Sequence, residues 1–292
     1  MSKGHSLYEI ARIAMLARGF EADFSPNVLK QLEGISSPAH NVASERDLTR
    51  LLWCSIDNDD SRDLDQLTVA EPLPNGRTKI LIGIADVDAL VKTGTPIDGH
   101  AKANTTTVYT GVRTFPMLPE KLSTNLTSLS ENEIRRSVIT EITVDQLGHI
   151  VGSEVYQAAV KNQAKLAYNE VSDWLEGKGP IPKVVASVPG MDRQLRLQDE
   201  LAQKMRKLRH EYGALELETI EPRPIMKDDE VVDLTHDKKN RARELIEDFM
   251  IAANGVVARY LAQKGFPSIR EMETSDLKLR VISLDATVPE RL

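Results

Sequence analysis

Leu51-Leu-Trp-Cys54-Ser-Ile-Asp57-Asn-Asp-Asp60-Ser-Arg-Asp63-Leu-Asp65-Gln-Leu67 is the stretch on which the reading of this chain turns. Leu51 to Ile56 is an apolar run of strand length with a β-suited Trp and Ile, and it stops at a cluster of acids. Asp57, Asp59, Asp60, Asp63 and Asp65 put five carboxylates within nine residues, which repel one another unless something positive sits among them. A hard divalent cation with oxygen ligands, Mg²⁺, Mn²⁺ or Ca²⁺, is the usual remedy. A solvated acidic turn is the plainer alternative.

Known loops exclude themselves. A calcium EF-hand loop starting at Asp57 fails at its sixth position, Arg62 where Gly is needed, and at its twelfth, Thr68 where Glu is needed. The chain has no P-loop, His-Glu-x-x-His or Gly-x-Ser-x-Gly, and its six histidines are scattered. What remains is a carboxylate site at the end of a strand, which suits two-metal phosphoryl chemistry with ions about 3.5–4 Å apart. Asp57, Asp63 and Asp65, at +6 and +8, are the favoured ligands. Arg62 either pairs with a neighbouring acid or touches a phosphate.

At 292 residues the chain allows one large or two ordinary domains. Its 37 basic and 44 acidic residues, net −7, argue against binding nucleic acid through overall positive charge but leave room for a local basic groove. The single cysteine, Cys54, rules out an internal disulfide or a cysteine-rich zinc site. With no apolar stretch near the roughly 20 residues needed to span a bilayer and no signal pattern, a cytoplasmic protein is expected.

Upstream, Ser6 to Ile35 reads as helical. Leu7, Ile10, Ile13, Ala14 and Ala17 recur at helical spacing to a stop at Gly19. A second helix is capped by Ser25 with Pro26 at its first position, carrying Val28, Leu29 and Leu32 inward to Gly34. The pair is either a helix-turn-helix or a packing element, and a linker follows at Ser36 to Asn41. Downstream, Leu67 to Glu71 and Lys79 to Ala85 form a hairpin across Asn75-Gly76, with Asp86 and Asp88 possible neighbours of the acids. Thr95-Pro96 opens a short helix, and Arg113 to Asn132 reads as a long ordered loop with a short helix after Pro119. A second hairpin pairs Val138 to Val144 with Ile150 to Val155. A helix runs from Glu170 to Glu176, capped by Asn169, and Gly179 to Pro189 is loop-like. Leu197, Leu201, Met205, Leu208 and Tyr212 form a helical stripe among bases suited either to a phosphate backbone or to solvent. The longest helix is Arg241 to Gln263, with Arg243, Glu247 and Asn254 along one flank. Hairpins without regular βαβ alternation predict an α+β fold, a mainly antiparallel sheet with surrounding helices.

Ser55-Ile56-Asp57 followed by Arg62-Asp63-Leu64-Asp65-Gln66 resembles the signature of the ribonuclease II (RNB) catalytic domain. Further blocks follow in order: Ile84 to Val87, Val108-Tyr109, Pro116 to Pro119, Leu126 to Leu129, Lys165 to Tyr168 and Leu245 to Asn254. The resemblance covers about Arg46 to Pro267. It implies a helical segment at 1–40 before a catalytic domain at 41–292 whose C-terminal part is missing. It also implies Mg²⁺-dependent (Mn²⁺ is possible) 3′-to-5′ exoribonucleolytic cleavage of single-stranded RNA to nucleoside 5′-monophosphates. Asp57, Asp63 and Asp65 would hold metal, with Asp65 the residue most needed for chemistry. Tyr109 would stack on a base of the incoming strand, Tyr168 on the 3′-terminal base, and Glu247 would contact the terminal nucleotide.

This chain departs from the pattern at Gln66, where a fourth Asp is usual; its carbonyl oxygen can ligate a cation but brings no charge. The family's later arginine block is not recognisable before Leu292, and the match fades beyond Pro267. The alternatives are a catalytically weak or inactive relative that binds RNA or protein, and a metal-dependent phosphatase or metal-binding module.

Overall fold

Alternation of side chains between two faces, the period of a strand, builds the centre of the molecule. The computed structural model describes residues 6–39, 45–214, 222–227, 230–236, 239–266, 269–272 and 281–284. In the main sheet are β1 (Arg46–Asp47), β2 (Cys54–Asp57), β3 (Gln66–Pro72) and β4 (Thr78–Ala85). A small separate hairpin, β5 (Val108–Tyr109) with β6 (Thr114–Phe115), precedes the sheet's β7 (Ile134–Val144), β8 (Ile150–Lys161) and β9 (Ala164–Ala167). The seven strands lie in the order β1-β8-β7-β4-β3-β2-β9. All neighbours are antiparallel except β1 with β8 and β2 with β9, so the mixed sheet is mainly antiparallel, as expected. Two further hairpins pair β10 (Pro222–Lys227) with β11 (Glu230–His236) and β12 (Ile269–Met272) with β13 (Val281–Leu284).

Cys54, Ile56, Ile80 and Ile82 face one core, and Trp53, Leu67, Val69 and Leu81 face the other. The first core is covered by α4 (Tyr168–Leu175), α5 (Lys183–Ser187), α6 (Met191–Glu211) and α7 (Arg241–Gln263). Each fully buried Leu or Ile here stabilises the fold by about 1.5–3 kcal/mol. The turn between β3 and β4 is the expected Asn-Gly: Asn75 and Gly76 hold φ of 61° and 70°, the left-handed pair a tight hairpin demands.

α2 (Pro26–Glu33) packs on α3 (Pro96–Asn104) in one small core, and α1 (Leu7–Ala17) on the small hairpin in another. Asn104 holds Glu21 at both ends of its peptide unit, accepting from its N–H (2.8 Å) and donating to its carbonyl (2.9 Å). Phe115 of β6 is buried against Met15, joining α1 to the small hairpin.

Several expectations are corrected. Leu7, Ile10, Ile13 and Leu29 face solvent, because these short helices rest on the body along the narrow contacts of Met15 and Val28. α4 starts at Tyr168, and the Asn169 amide oxygen accepts from Asn240 (2.9 Å) rather than capping the helix. The stretch expected to be loop between Gly179 and Pro189 contains α5, seated by buried Val185. β8 continues to Lys161, beyond the expected Val155. Tyr212, just past the end of α6, is exposed, and the helix's inner face is shared by Gln194 and Gln198, whose amides bond each other (2.6 Å).

The bases of α6 do not form a free stripe. Arg206 and Arg209 reach Asp248 of α7 (3.1 and 2.6 Å), and Arg206 also pairs with Glu244. Arg196 covers the Trp174 ring, and Asp199 is gripped in a fork by Arg241 (2.7 Å twice). The expected boundary between residues 40 and 41, His5, His40, Pro267 and Leu292 lie outside the described residues. No helix among the described residues is long and apolar enough to cross a membrane.

Candidate active site

β2 ends at Asp57, whose parallel partner on β9 is Ala167, and Tyr168 opens α4 immediately after. The first acid and Tyr168 therefore leave the same end of adjacent strands. The acid loop between β2 and β3 is fastened from below by the segment after the short π-helical turn at Leu122–Leu126. Ser128 Oγ donates to the Arg62 carbonyl (2.9 Å) and accepts from Leu64 N–H (3.1 Å), and Leu129 N–H donates to the Leu64 carbonyl (2.8 Å). Asn162 ties this support to β2, donating to Ser55 Oγ and the Leu129 carbonyl, both at 3.0 Å. Ala85 N–H fixes the Asp65 carbonyl at 2.9 Å. A loop of like charges is thus held in shape by backbone bonds from neutral groups.

Asp57, Asp63 and Asp65 lie near enough to feel one another's charge. Burial first, then the charges of Asp57 and Asp63, push the Asp65 carboxyl above the usual carboxylate range. Asp65 is nevertheless exposed, so its carboxylate is reachable from solvent. Tyr109 reaches in from the small hairpin, its hydroxyl donating to Asp63 Oδ2 at 2.9 Å. Its phenol is pushed up to about 12 by burial, by that bond and by the charges of Asp63, Asp65 and Asp57. The Tyr168 phenol also rises to about 12, through burial and then the Asp57 charge, with Arg243 opposing and Asp65 adding. The charges of Asp57 and Asp65 reach both tyrosines, and Tyr109 touches the acid loop directly at Asp63.

Gln66 is buried, at 8% exposure, and its Nε2 donates to the Ile56 carbonyl (3.2 Å). Its Oε1 is buried with no hydrogen-bond partner, an orphaned acceptor that costs stability unless something electropositive meets it. Asp59 and Asp60 are exposed and stand apart from this set. Asp86 and Asp88 do not join the acids: Asp86 is held by Gln157 (2.9 Å) and Arg136 (3.4 Å), and Asp88 pairs with Lys92 (3.1 Å). Glu247 pairs with Lys239 (2.7 Å), and among the described residues no hydrogen bond joins it to the acid loop.

Two residues were not assigned from the sequence. Arg243 lies over the Tyr168 ring, 4.6 Å from its centroid, and its Nη2 donates to Asn58 Oδ1 at 2.7 Å. Asn58 N–H in turn donates to Asp57 Oδ1 (2.7 Å). The one available signal was Arg243 falling four residues before Glu247 on the flank of α7.

Asp57, Asp63, Asp65 and the orphaned Gln66 oxygen offer only oxygen donors, the chemistry that suits a hard divalent cation. Among the described residues no three acid, His or Cys side chains are closed on one point as a finished metal cage. The orphan at Gln66 and the mutual repulsion around Asp65 are both relieved by a cation, so the residues fit one.

Residues 45–284 match the RNB domain family. The chain belongs to the RNB family. Ribonuclease R of Aquifex aeolicus is 30% identical over 84% of this chain and 35% of that protein. An exoribonuclease 2 of Escherichia coli is 33% identical over 75% of this chain and 34% of its own length. The chain thus spans about a third of the curated relatives it matches. Among solved structures, RNase R of Mycoplasma genitalium in complex with ribose-methylated single-stranded RNA superposes with a TM-score of 0.81. It is 26% identical, covering 92% of this chain and 41% of that one. The RNB fold accounts for the blocks met in the sequence: they form the acid loop, its Ser128 support, the β9–α4 junction and the first half of α7.

Proposed function

We propose that the chain is the nuclease part of a cytoplasmic exoribonuclease that shortens single-stranded RNA from its 3′ end and releases nucleoside 5′-monophosphates with Mg²⁺. Mn²⁺ is a possible substitute. The observation that supports this reading is the acid loop at the end of β2, with Tyr109 bonded to Asp63 and Tyr168 leaving the neighbouring strand beside Asp57, in a chain of the RNB family.

Asp57, Asp63, Asp65 and the Gln66 carbonyl oxygen would hold the cation. When bound, it supplies a lowered pKa for an attacking water and neutralises charge on the leaving oxygen. In the reaction water adds to the last internucleotide phosphorus and the bond from phosphorus to the upstream O3′ breaks. The phosphate stays on the departing nucleotide and the shortened RNA keeps a 3′-hydroxyl. Asp65 is assigned the role most needed for that chemistry, and Tyr109 keeps Asp63 oriented through its hydroxyl. The rings of Tyr109 and Tyr168 accept any base, since stacking on an aromatic contributes about 1–3 kcal/mol regardless of sequence. Glu247 is assigned a contact to the terminal nucleotide.

Decay of 5′-labelled single-stranded RNA by the chain should give a ladder that shortens progressively while the label stays on the long species. The small product should co-migrate with nucleoside 5′-monophosphate. Immediate loss of label to short oligonucleotides would instead indicate endonucleolytic cleavage and reject the proposed direction. A second reading, a catalytically weak or inactive relative that binds RNA or protein, is favoured by one observation: the neutral, buried Gln66 where the family pattern has an acid. RNA binding without decay at saturating Mg²⁺ would select it.

A further inference from the structure

The acid loop has a cationic wall. Arg243 stands in the first turn of α7, whose start is fixed by Asn240: its side chain accepts from Arg243 N–H (3.0 Å) and donates to Asn169 (2.9 Å), beside Tyr168. The guanidinium lies against one face of the Tyr168 ring at 4.6 Å, within cation–π range. The same guanidinium bonds Asn58, whose N–H bonds Asp57. One side chain therefore links the stacking tyrosine to the first acid.

We propose that Arg243 is a positioning residue for the 3′-terminal nucleotide: it covers one face of the half-buried Tyr168, whose ring also packs on the core, so that a base can meet only the part left open, and it locks the Asp57–Asn58 turn to α7. This rests on the RNA-degrading reading of the site. A tyrosine free on both faces can rotate and accept a base in more than one register. A tyrosine backed by a guanidinium offers one platform at a fixed height above the acids. Arg is suited to this because its plane stacks and its fork donates at the same time, which a lysine ammonium cannot do.

The test measures affinity of the full chain in EDTA by fluorescence anisotropy, so that no cleavage is required. Two 5′-labelled oligoribonucleotides are compared, one ordinary and one abasic at its 3′-terminal nucleotide. For the parent chain the missing base should weaken binding within the about 5- to 150-fold range of a lost stack. Arg243→Gln should weaken ordinary RNA by about fivefold or more and shrink the abasic penalty to within about twofold, because the platform is no longer held. Arg243→Lys, a milder change, should behave as Arg243→Gln does and guards against a folding defect, with thermal melting as the control. The proposal is overturned if either variant binds ordinary RNA like the parent. It is also overturned if ordinary and abasic RNA weaken by the same factor, since that is the mark of a general electrostatic or structural loss. A parent chain that binds neither RNA overturns the RNA reading itself, an outcome distinguishable because it needs no variant.

Discussion

At the residue scale, the neutral Gln66 sets this acid loop apart from one in which every candidate ligand is an acid. Its side chain is buried, one end is spent on the Ile56 carbonyl, and the other end is orphaned. Gln66→Asp adds a fourth carboxylate to a loop where Asp65 is already pushed upward by burial and by its neighbours. Without a cation the variant should be less stable, because an unpaired buried carboxylate is costly. With Mg²⁺ it should gain more than the parent, since binding to the folded state alone stabilises it. The Mg²⁺ concentration for half-maximal RNA decay should fall about tenfold, which is about 1.4 kcal/mol. A titration curve that coincides with the parent's removes Gln66 from the metal site.

At the element scale, the site depends on α7 staying against α6 and α4. Asp248 is 1% exposed and is shared by Arg206 and Arg209. Burial raises its pKa while the two guanidinia oppose the shift. Asp248→Ala leaves Arg206 with Glu244 alone and removes the acid bonded to Arg209, and should cost about 1–3 kcal/mol. A urea midpoint unchanged by that substitution contradicts the tie. α7 itself was legible to the residue, because Asn240 caps it and its apolar stripe is continuous. The Asn75-Gly76 hairpin was legible for the same local reason. α6 was legible only as a helix: its inner face includes glutamines, which an aliphatic stripe does not flag. Arg243 was visible as a position without a role, because its partners Tyr168 and Asn58 are distant in sequence. The acid loop announced a cation through charge density alone, but placing Tyr109 and Tyr168 beside it required either the family resemblance or the fold.

At the scale of the whole molecule, one mixed sheet carries the acid loop, and Cys54 sits in its core next to Gln194 and Gln198 of α6. Burial pushes its thiol up to about 11, against an ordinary value of about 8.5. The folded chain therefore binds this proton more tightly than the unfolded chain. The stability so contributed is complete below about pH 8.5 and is lost as the pH rises toward 11. At pH 8 a thiol-specific reagent should label Cys54 only as fast as the sheet opens, and fast labelling of the folded chain contradicts its packing. The acid loop of that same sheet carries the proposed activity. The most direct measurement is decay of 5′-labelled single-stranded RNA by the chain and by Asp65→Asn, each with Mg²⁺ and with EDTA. Stepwise shortening by the parent in Mg²⁺ alone, and none by Asp65→Asn, is the predicted result; decay that survives either EDTA or the substitution contradicts it.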